Sequence, residues 1–420
     1  RIRGNSTMKH AAIIPLIGGE VLASDDAYGV TPEYMMTYSG FEGNEKHLRN
    51  HYAQQGVDVP YHIIDGDNAP KRYKKVDVVS SVCPCAGLSS YHSSYGEDNP
   101  NNQWMEKSTK FVLNEIGPKV LWGENAPALA TNVGAFMRKK LLKTANEAGY
   151  NMTIYTTKTL LHGTPQIRRR SFYFFWKRDY FKNKVPVFDY FKKEHPTIAQ
   201  LLMENKSNFQ TETINSKIPS VDDPYYKYFL EEIKGGMTHA EFAKELREDE
   251  TFTKPSFNVE SEMILGDYKG QCNYKELSEY MAAQGLEREA AKCLRRYEKL
   301  KSGKGVMWRG TIIPVKHIGA FVVHMPHVLT HPVEDRYINY REAMTIMGLP
   351  QDYELLDPEK SVNHICQNVP FNTARDMATQ VKAAIERKLP MEDASFMYQD
   401  NMSQRIRETT STVDITEFMT

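Results

Sequence analysis

The sequence predicts an α/β protein built on a doubly wound sheet, with a second, smaller domain that is largely helical. In residues 8–180, short β-branched or aromatic segments alternate with helical segments, and each strand segment ends in a polar turn. From 181 to 325 this alternation is lost and helical patterns dominate. A chain of 420 residues is also long enough for two cores, so two domains are expected.

Local patterns justify the elements of the first region. The clearest strand is Val76–Val82, a β-branched run that directly follows a charged segment. Ser90–Gln103 is polar, contains Gly, Asn and Pro, and is expected to be a mobile loop. The other strands are predicted at 10–17, 34–41, 61–64, 119–122, 153–159 and 171–176, and the helices at 46–55, 105–116 and 136–148.

The later part of the chain divides into three predicted segments. Residues 181–325 form the second domain, 326–390 return to the first, and 391–420 are a polar tail that is expected to fray or to dock loosely. Thr238 with Glu241 forms a capping-box pattern that opens a helix. Further elements are predicted as helices at 276–284, 287–300, 340–347 and 372–387, and as β structure at 312–323.

The second helix of the predicted hairpin, 287–300, is basic. Lysines and arginines that are clustered with aromatic residues are typical of contact with a phosphate backbone. The alternative is the solvated face of an ordinary helical hairpin, and the pattern leaves both open. The candidate DNA contacts are Arg295, Arg296, Lys299, Lys301, Lys304 and Arg309.

Composition narrows the class of protein. The formal net charge is zero, so any nucleic-acid binding must come from local basic patches. Five cysteines, an odd number in a long chain, indicate a reducing compartment, and we expect a cytoplasmic protein. No apolar run is long enough for a membrane span. Arg1–Thr7, which lack an apolar core, look like residues added by cloning rather than a signal peptide.

The strand at 76–82 leads into Cys83-Pro84-Cys85-Ala86-Gly87-Leu88-Ser89, where chemistry is expected. The carboxyl end of a strand is where open α/β sheets place ligands and reactive groups. Taken alone, the pair of cysteines has three interpretations: a buried structural thiol, a nucleophile, or half of a metal site. The other cysteines show no paired spacing, so we predict no metal.

The order of later motifs changes the balance between these interpretations. After the Pro84-Cys85 turn come four further blocks in sequence. They are Gly123-Glu124-Asn125, Gln166-Ile167-Arg168-Arg169-Arg170, the Arg336–Glu342 segment with Met347-Gly348-Leu349-Pro350, and Gln367-Asn368-Val369-Pro370. This series closely resembles the DNA (cytosine-5) methyltransferases. The resemblance covers 8–180 and 330–388, and it places 181–325 in that family's variable target-recognition domain. It also implies a Rossmann-like, mixed-sheet methyltransferase fold.

The resemblance implies a catalytic set and a reaction. Cys85 would add to C6 of a cytosine flipped out of duplex DNA, because C5 becomes nucleophilic only after such an addition. Glu124 would hold the pairing edge of the base, and Arg168 would contact the base. Arg170 and Gln166 would organise the site. Ser89 would begin the loop that closes over the base and contact DNA.

The implied donor is S-adenosylmethionine. The corresponding residues are Gly18, Gly19, Glu42, Asp65, Asp67, Pro84, Met105, Gln367 and Asn368. An acidic residue after the second strand commonly holds the ribose hydroxyls in such folds, and Glu42 is the match. The resemblance implies that Asp67, or its neighbour Asp65, lies near the adenine amino group.

Two blocks depart from the family pattern. Ile14-Pro15-Leu16-Ile17-Gly18-Gly19 lacks the aromatic residue and the first glycine, and Cys366-Gln367 replaces Gly-Asn. Both departures surround the methionyl end of the donor. They leave two alternatives beside a methyltransferase: an alkyltransferase that uses a modified S-adenosylmethionine, and a relative that binds DNA without modifying it. We expect a monomer, encoded by a bacterium or by a virus acting in a host cytoplasm, with restriction-modification as a possible setting.

Overall fold

The computed structural model describes residues 8–67, 69–89, 96–205, 209–306, 308, 310–322 and 325–409. The chain divides into two compact units. Unit 1 comprises residues up to His195, then Met347–Leu356, then Asn368 onward. Unit 2 comprises Pro196–Ile346 and Asp357–Gln367. The divisions therefore fall later in the chain than the expected boundaries at 180 and 325, and unit 1 is built from three separate segments.

The strands are β1 (His10–Ile13), β2 (Met35–Thr37), β3 (Tyr61–Ile63), β4 (Val78–Ser81), β5 (Val120–Asn125), β6 (Tyr150–Lys158), β7 (Arg169–Lys177), β8 (Val185–Pro186), β9 (Ser256–Asn258), β10 (Ile312–Pro314), β11 (Met391–Glu392), β12 (Phe396–Asp400) and β13 (Arg405–Thr409). The helices are α1 (Gly19–Tyr28), α2 (Lys46–Gln54), α3 (Asn102–Phe111), α4 (Ala135–Ala148), α5 (Arg178–Phe181), α6 (Ile198–Met203), α7 (Pro219–Asp222), α8 (Pro224–Tyr228), α9 (His239–Glu248), α10 (Val259–Ile264), α11 (Tyr274–Ala283), α12 (Glu287–Lys301), α13 (Tyr340–Ile346), α14 (Pro358–Gln367) and α15 (Phe371–Ile385). Short 3-10 turns lie at Ala86–Leu88, Pro127–Ala130, Asn132–Gly134 and Thr159–Leu161, and π-helical turns at Val112–Ile116 and Phe229–Ile233.

Unit 1 is organised on a nine-stranded sheet with the order β13-β12-β6-β7-β5-β4-β1-β2-β3. The five strands from β3 to β5 in this order are parallel, whereas β7 is antiparallel to both of its neighbours. The sheet is therefore mixed, and the α/β fold predicted from sequence is confirmed. The carboxyl ends of β1, β2, β3, β4 and β5 meet at one edge, where the candidate residues lie.

Alternating side chains give the sheet two apolar faces, as the pleat of a strand requires. On one face Val79 and Leu121 pack in a core with Met105 of α3 and Leu141 of α4. On the other, the core contains Val78, Val120 and Trp122 with Ala23 of α1 and Met377 of α15. The predicted strand at 76–82 is buried on both faces, which explains its continuous β-branched run.

Two parts of unit 1 differ from the prediction. The polar tail, 391–420, was expected to fray or to dock loosely, but within its described part, which ends at 409, β12 pairs in parallel with β6, and Phe396 and Met397 are buried. For this part the prediction was wrong because two apolar residues suffice to anchor a strand whose backbone is paired. Helix α1 was not predicted. It is buried on most sides, from Gly19 to Ser24 and again at Tyr28, so it shows no amphipathic period.

Unit 2 is largely helical and has its own aromatic core. Phe229, Phe242 and Phe257 contact one another edge to face or tilted, with Leu277 and Cys293 buried around them. The predicted capping box is present, since Thr238 Oγ1 accepts a hydrogen bond from the Glu241 backbone and Glu241 accepts one from Thr238. Within the described part of the predicted β segment 312–323, the strand is confined to Ile312–Pro314.

None of the helices that the structure describes is long and apolar enough to cross a membrane. In the same residues, no group of three or more His, Cys, Asp or Glu side chains is arranged to hold a metal ion.

Candidate active site

The turn after β4 carries two thiols in different surroundings. Cys83 is buried, its sulfur lies 3.3 Å from Ser81 Oγ, and the Tyr173 hydroxyl lies 3.9 Å from it. Burial raises the pKa of the Cys83 thiol. Cys85 is only partly buried and opens the 3-10 turn that follows. Of the two, Cys85 has the exposure that a nucleophile needs.

The end of β5 lies beside this turn because β4 and β5 are paired, with Ser81 opposite Gly123. A side chain at Gly123 would come within 2.4 Å of the Ser81 carbonyl oxygen, so only glycine permits this approach. Asn125 is buried, and its Nδ2 donates to the Cys83 carbonyl over 3.4 Å. Asn125 thereby ties the end of β5 to the cysteine turn.

Glu124 is buried at the end of β5, at 3% exposure, and forms an ion pair with Arg170. Arg170 comes from the start of β7, which runs antiparallel to β5. An arginine that is ion-paired with a carboxylate shielded from solvent holds that carboxylate in a fixed position. The Gln-x-Arg-x-Arg segment thus delivers its last arginine to the glutamate.

The other two members of that segment, Arg168 and Gln166, are also buried in unit 1. The Arg168 backbone N–H donates to Thr159 Oγ1 over 3.0 Å, and its side chain is 3% exposed. Gln166 Nε2 lies 3.6 Å from the Met347 sulfur, which joins this segment to the Met-Gly-Leu-Pro block.

Hydrogen bonds join the two ends of the loop that follows the cysteine turn, and these ends are called the base of the loop. The Gly96 N–H donates to the Gly87 carbonyl over 2.8 Å, and Asn102 Nδ2 donates to the Gly96 carbonyl over 2.7 Å. Ser89 is half-buried where the loop begins, while residues 90–95 lie outside the described part of the chain. Met105 is buried in α3, behind this base.

The first and last blocks meet at the end of β1. The Gly19 N–H donates to Asn368 Oδ1 over 2.9 Å, and a Cβ at Gly19 would lie 2.2 Å from Asn368 Nδ2. Gly18 has φ 95°, as its tight turn requires. Leu16 has φ 51° where the family pattern has glycine, so the left-handed turn persists with a side chain at a cost of about 1–2 kcal/mol.

Acidic residues follow β2 and β3 at the same sheet edge. Asp65 accepts hydrogen bonds from Ser39 N and Oγ over 2.7 and 3.0 Å, and these bonds lower its pKa. Glu42 accepts from the Gly40 N–H over 2.5 Å. Both carboxylates and that of Asp67 are exposed, as groups that bind a ligand's hydroxyl or amino groups must be. The glycine turn and these acids therefore fit a nucleoside donor.

The other residues that were predicted to bind the donor differ in burial and in the unit to which they belong. Pro84 is half-buried in the cysteine turn. Asn368 is buried in unit 1, whereas Gln367 is an exposed residue that ends α14 of unit 2.

The basic helix of unit 2 separates into two kinds of residue. Arg295, Lys299, Lys301 and Lys304 are exposed. Arg296 instead forms an ion pair with Glu260, which is buried and also accepts a hydrogen bond from the Tyr274 hydroxyl over 2.7 Å. Arg296 is therefore a structural residue, and we leave it out of the candidate DNA contacts. Arg309 lies outside the described residues.

Sequence reasoning missed Glu20, a carboxyl group that is 1% exposed in the first turn of α1. The signal was present: an acidic residue stands directly between the Gly-Gly turn and the apolar run Val21-Leu22-Ala23.

Comparisons with known proteins agree with this arrangement. A protein from Thalassovita gelatinovora, the type II methyltransferase M.AgeI, is 33% identical over 100 residues, which are 24% of this chain. The match spans 23% of that relative's length. Among solved structures, a candidate DNA modification methyltransferase encoded within a prophage, from E. coli, superposes with a TM-score of 0.53 at 14% identity. That superposition covers 90% of this chain and 100% of the other, and it shows a shared fold.

The profile of one family extends over most of the chain. It describes the C-5 cytosine-specific DNA methylases and matches residues 36–383, a span that runs from within β2 to within α15 and includes the Cys85, Glu124 and Arg170 positions. The chain belongs to the C-5 cytosine-specific DNA methylase family.

Proposed function

We propose that this chain transfers a methyl group to C5 of a cytosine flipped out of duplex DNA, through a covalent bond between Cys85 Sγ and ring C6. The observation that supports the proposal is that the turn with partly buried Cys85 follows β4, while the buried Glu124–Arg170 pair lies at the end of β5, the strand paired with β4. Cysteine, carboxyl group and arginine are the groups that this reaction needs.

The chemistry assigns a task to each group. Addition of the Cys85 thiolate at C6 converts the ring into an enamine, so that C5 becomes a nucleophile. Glu124, which Arg170 holds in place, has to take up a proton before it can donate a hydrogen bond to N3, and that bond stabilises the negative charge that addition pushes into the ring. After C5 has taken the methyl group, loss of the C5 proton releases Cys85 as a thiolate and restores the aromatic ring.

The two arginines have different tasks in this proposal. Arg170 orients Glu124, and its ion pair is the contact that supports this task. Arg168 contacts the flipped base, as the family pattern implies, and Gln166 fixes the segment that carries both arginines.

The donor that fits the residues is S-adenosylmethionine, which supplies an electrophilic methyl group when bound. Gly18, Gly19 and Asn368 would bind its methionyl end, and Pro84 and Met105 would line the site. Gln367, the residue before Asn368 in the chain, is a further candidate. Glu42, Asp65 and Asp67 would bind the ribose and adenine. Leu16 at the family's glycine position is the feature that keeps a modified donor as the second candidate.

The substrate would be double-stranded DNA. The target atom of a stacked base is reachable there only after the base has been flipped out, which costs a few kcal/mol. Ser89 would begin the loop that covers the flipped base. Exposed basic residues of α12 and Lys304 would contact phosphates. We propose that the protein acts as a monomer in a cytoplasm, and that it protects DNA as a type II modification enzyme does.

A mechanism-based trap tests the proposal. Duplex DNA containing 5-fluorocytosine, incubated with the protein and S-adenosylmethionine, should form an adduct that survives denaturing electrophoresis, because fluorine at C5 blocks release of the enzyme. Cys85→Ala should abolish the adduct, whereas Cys83→Ala should retain it. Glu124→Gln should slow adduct formation by about 100-fold or more, with little change in DNA affinity.

Two outcomes would count against parts of the proposal, and a further measurement separates the two donors. No adduct on a pool of random duplexes, with DNA binding intact, favours a DNA-binding relative. An adduct that survives in Cys85→Ala assigns the nucleophile elsewhere. Intact-nucleoside mass spectrometry of treated DNA separates the donors, since plain S-adenosylmethionine adds only a methyl group.

A further inference from the structure

Thr159 stands where the ladder between β6 and β7 gives way to a 3-10 turn. The last pair of that ladder is Lys158 with Arg169, so Thr159 and Arg168 are the next pair along the same two chains. The Thr159 N–H donates to the Arg168 carbonyl over 3.1 Å, as in a regular ladder. The Thr159 carbonyl, however, accepts from the His162 N–H over 2.9 Å, because it opens the turn.

The Thr159 hydroxyl makes two hydrogen bonds to the segment that carries the predicted site residues. Its Oγ1 accepts from the Arg168 N–H over 3.0 Å, and it donates to the Gln166 carbonyl. All three residues are buried. A single hydroxyl thus holds the backbone on both sides of Ile167. Its loss would remove a partner from two buried backbone groups, and the segment would shift toward new ones.

The turn itself is tied to α15, so the hydroxyl sits in a rigid frame. His162 Nδ1 lies 2.8 Å from Asp376 Oδ2, and both side chains are buried. Asn372, one helical turn earlier on α15, donates from Nδ2 to Thr164 Oγ1 over 3.2 Å. Lys193 Nζ lies 2.5 Å from Asp376 Oδ1 and supplies the balancing charge. Contacts with one helix at two points therefore restrict movement of the turn.

The segment leads directly into the ion pair of the candidate active site. Arg169 begins β7, and the next residue, Arg170, pairs with Glu124. The position of β7 is fixed by its pairing with β5 and β6. Arg168 precedes the strand, so its direction depends on the bonds to the preceding turn, and the Thr159 hydroxyl makes one of these. A shift of Arg168 would therefore leave the Glu124–Arg170 pair in place.

We propose that Thr159 is a positioning residue for the reaction: its hydroxyl sets the backbone of Gln166 and Arg168, and thereby the direction from which the Arg168 side chain meets the target base. This inference rests on the proposed function, in which Arg168 contacts the base. In an ordinary antiparallel pair the backbone carbonyl would accept the Arg168 N–H. The hydroxyl lets the chain turn at Thr159 and still hold Arg168 in register.

The test compares two substitutions. Thr159→Val keeps the shape of the side chain and loses the hydroxyl, whereas Thr159→Ser keeps the hydroxyl. The rate of 5-fluorocytosine adduct formation is measured in single turnovers, at saturating duplex DNA and S-adenosylmethionine. We expect Thr159→Val to slow it by about 10–100-fold, as a displacement of about 1 Å does, and Thr159→Ser to stay within about threefold of wild type. DNA affinity, which phosphate contacts dominate, should change by less than about twofold in both.

Thr153→Val is the matched control. Thr153 is buried on β6, six residues before Thr159 and therefore about 20 Å from it along an extended chain. Its Oγ1 accepts a hydrogen bond from Trp176 Nε1 over 2.9 Å. The substitution thus also removes a buried hydroxyl that has a partner, and it should lower stability while leaving the adduct rate unchanged. A purely structural role of the Thr159 hydroxyl predicts the same behaviour for Thr159→Val.

Hydrogen exchange gives a readout that does not depend on activity. The bond to the hydroxyl should protect the Arg168 amide in wild type, and Thr159→Val should lower that protection by about tenfold or more. Thr159→Ser should retain it. Mass spectrometry of peptic fragments that span 160–170 measures the exchange without DNA or donor. If the valine variant does not fold, Thr159→Ala takes its place, because it removes the hydroxyl and adds no new contact.

The outcomes separate this inference from the proposed function. Adduct formation by Thr159→Val at the wild-type rate overturns the role of Thr159, and so does a Thr159→Ser variant as slow as Thr159→Val. An equal loss of rate in Thr153→Val attributes the effect to general destabilisation and overturns the role as well. A wild type that forms no adduct overturns the proposed function. The exchange measurement then decides alone whether the hydroxyl holds the segment, and equal exchange in wild type and Thr159→Val would show that it does not.

Discussion

The cysteine side chains differ in burial, and this difference predicts how reactive each thiol is. Cys83, Cys272, Cys293 and Cys366 are buried, and Cys85 is half-buried. Burial raises the pKa of Cys83 and Cys293, and that of Cys272 to about 12. Because the thiolate is the reactive species, burial disfavours reaction at these three thiols, and solvent access favours Cys85.

This difference predicts the order of alkylation in the native protein. With limiting iodoacetamide at neutral pH, Cys85 should be modified first, and the adduct-forming activity should fall in step with its modification. Peptide mapping by mass spectrometry measures both the site and the extent. Cys83→Ala, as the control, should leave the rate of labelling at Cys85 unchanged. Faster labelling of Cys83 than of Cys85 would contradict the proposed division of roles.

At this scale the sequence predicted residues with a chemical role and missed a buried carboxyl group. Cys85, Glu124 and Arg170 stand in recognisable blocks, because the proposed reaction needs those residue types at strand ends. Glu20 stands in no block. Its burial arises from what α1 packs against, and no local pattern of residues encodes which atoms will surround a buried carboxyl group.

Among the elements, α12 combines a structural face and an exposed basic face. The Arg296–Glu260 pair anchors the helix in the core of unit 2, while Lys299 and Lys301 extend into solvent. The helical period turns Lys301, five positions beyond Arg296, by about 140° from it, whereas Lys299, three positions on, lies beside Arg296 along the helix and still reaches solvent.

We predict different outcomes for the two faces of α12. Lys299→Ala with Lys301→Ala should weaken binding to duplexes of any sequence. It should also lower the slope of log affinity against log salt by about one for each phosphate that the variant no longer neutralises. Fluorescence anisotropy over a salt series measures this. Lys143→Ala on α4, where the side chain is 78% exposed, is the matched control.

Arg296→Ala should instead destabilise the protein, by about 3–5 kcal/mol, because it leaves buried Glu260 without its cation. Chemical unfolding measures this decrease in stability. An unchanged salt slope in the double lysine variant would remove α12 from the DNA interface, and a fully stable Arg296→Ala would contradict the structural role.

The sequence predicted elements well where burial is one-sided or where a strand is flanked by charge. The strand β4 and the capped helix α9 are examples. It failed at α1, whose burial on nearly all sides removes the period, and at β12, where pairing with β6 stabilises a segment of mixed polarity. Both failures concern contacts between residues far apart in the chain, which local propensity does not record.

On the scale of the whole molecule, the last strands complete the sheet of unit 1. Met397 of β12 is buried at 1% exposure, whereas Met402, five residues later, is 39% exposed. The two methionines therefore test whether the end of the described chain is part of the core.

We predict that Met397→Ala lowers the free energy of unfolding by about 2–5 kcal/mol, because apolar burial decreases and a cavity remains. Met402→Ala should change it by less than about 0.5 kcal/mol. Urea unfolding followed by circular dichroism measures both. Equal effects of the two substitutions would mean that β12 does not stabilise unit 1.

The division of unit 1 into three segments has a consequence for how the protein is made. β6 is synthesised long before β12, its partner on one side. The roughly 240 intervening residues take on the order of 10–50 s to translate, and during that time one edge of β6 has no strand beside it. A nascent chain therefore holds its cysteine turn on an unfinished sheet, and a ribosome that stalls within unit 2 releases a polypeptide in which unit 1 lacks its last segment.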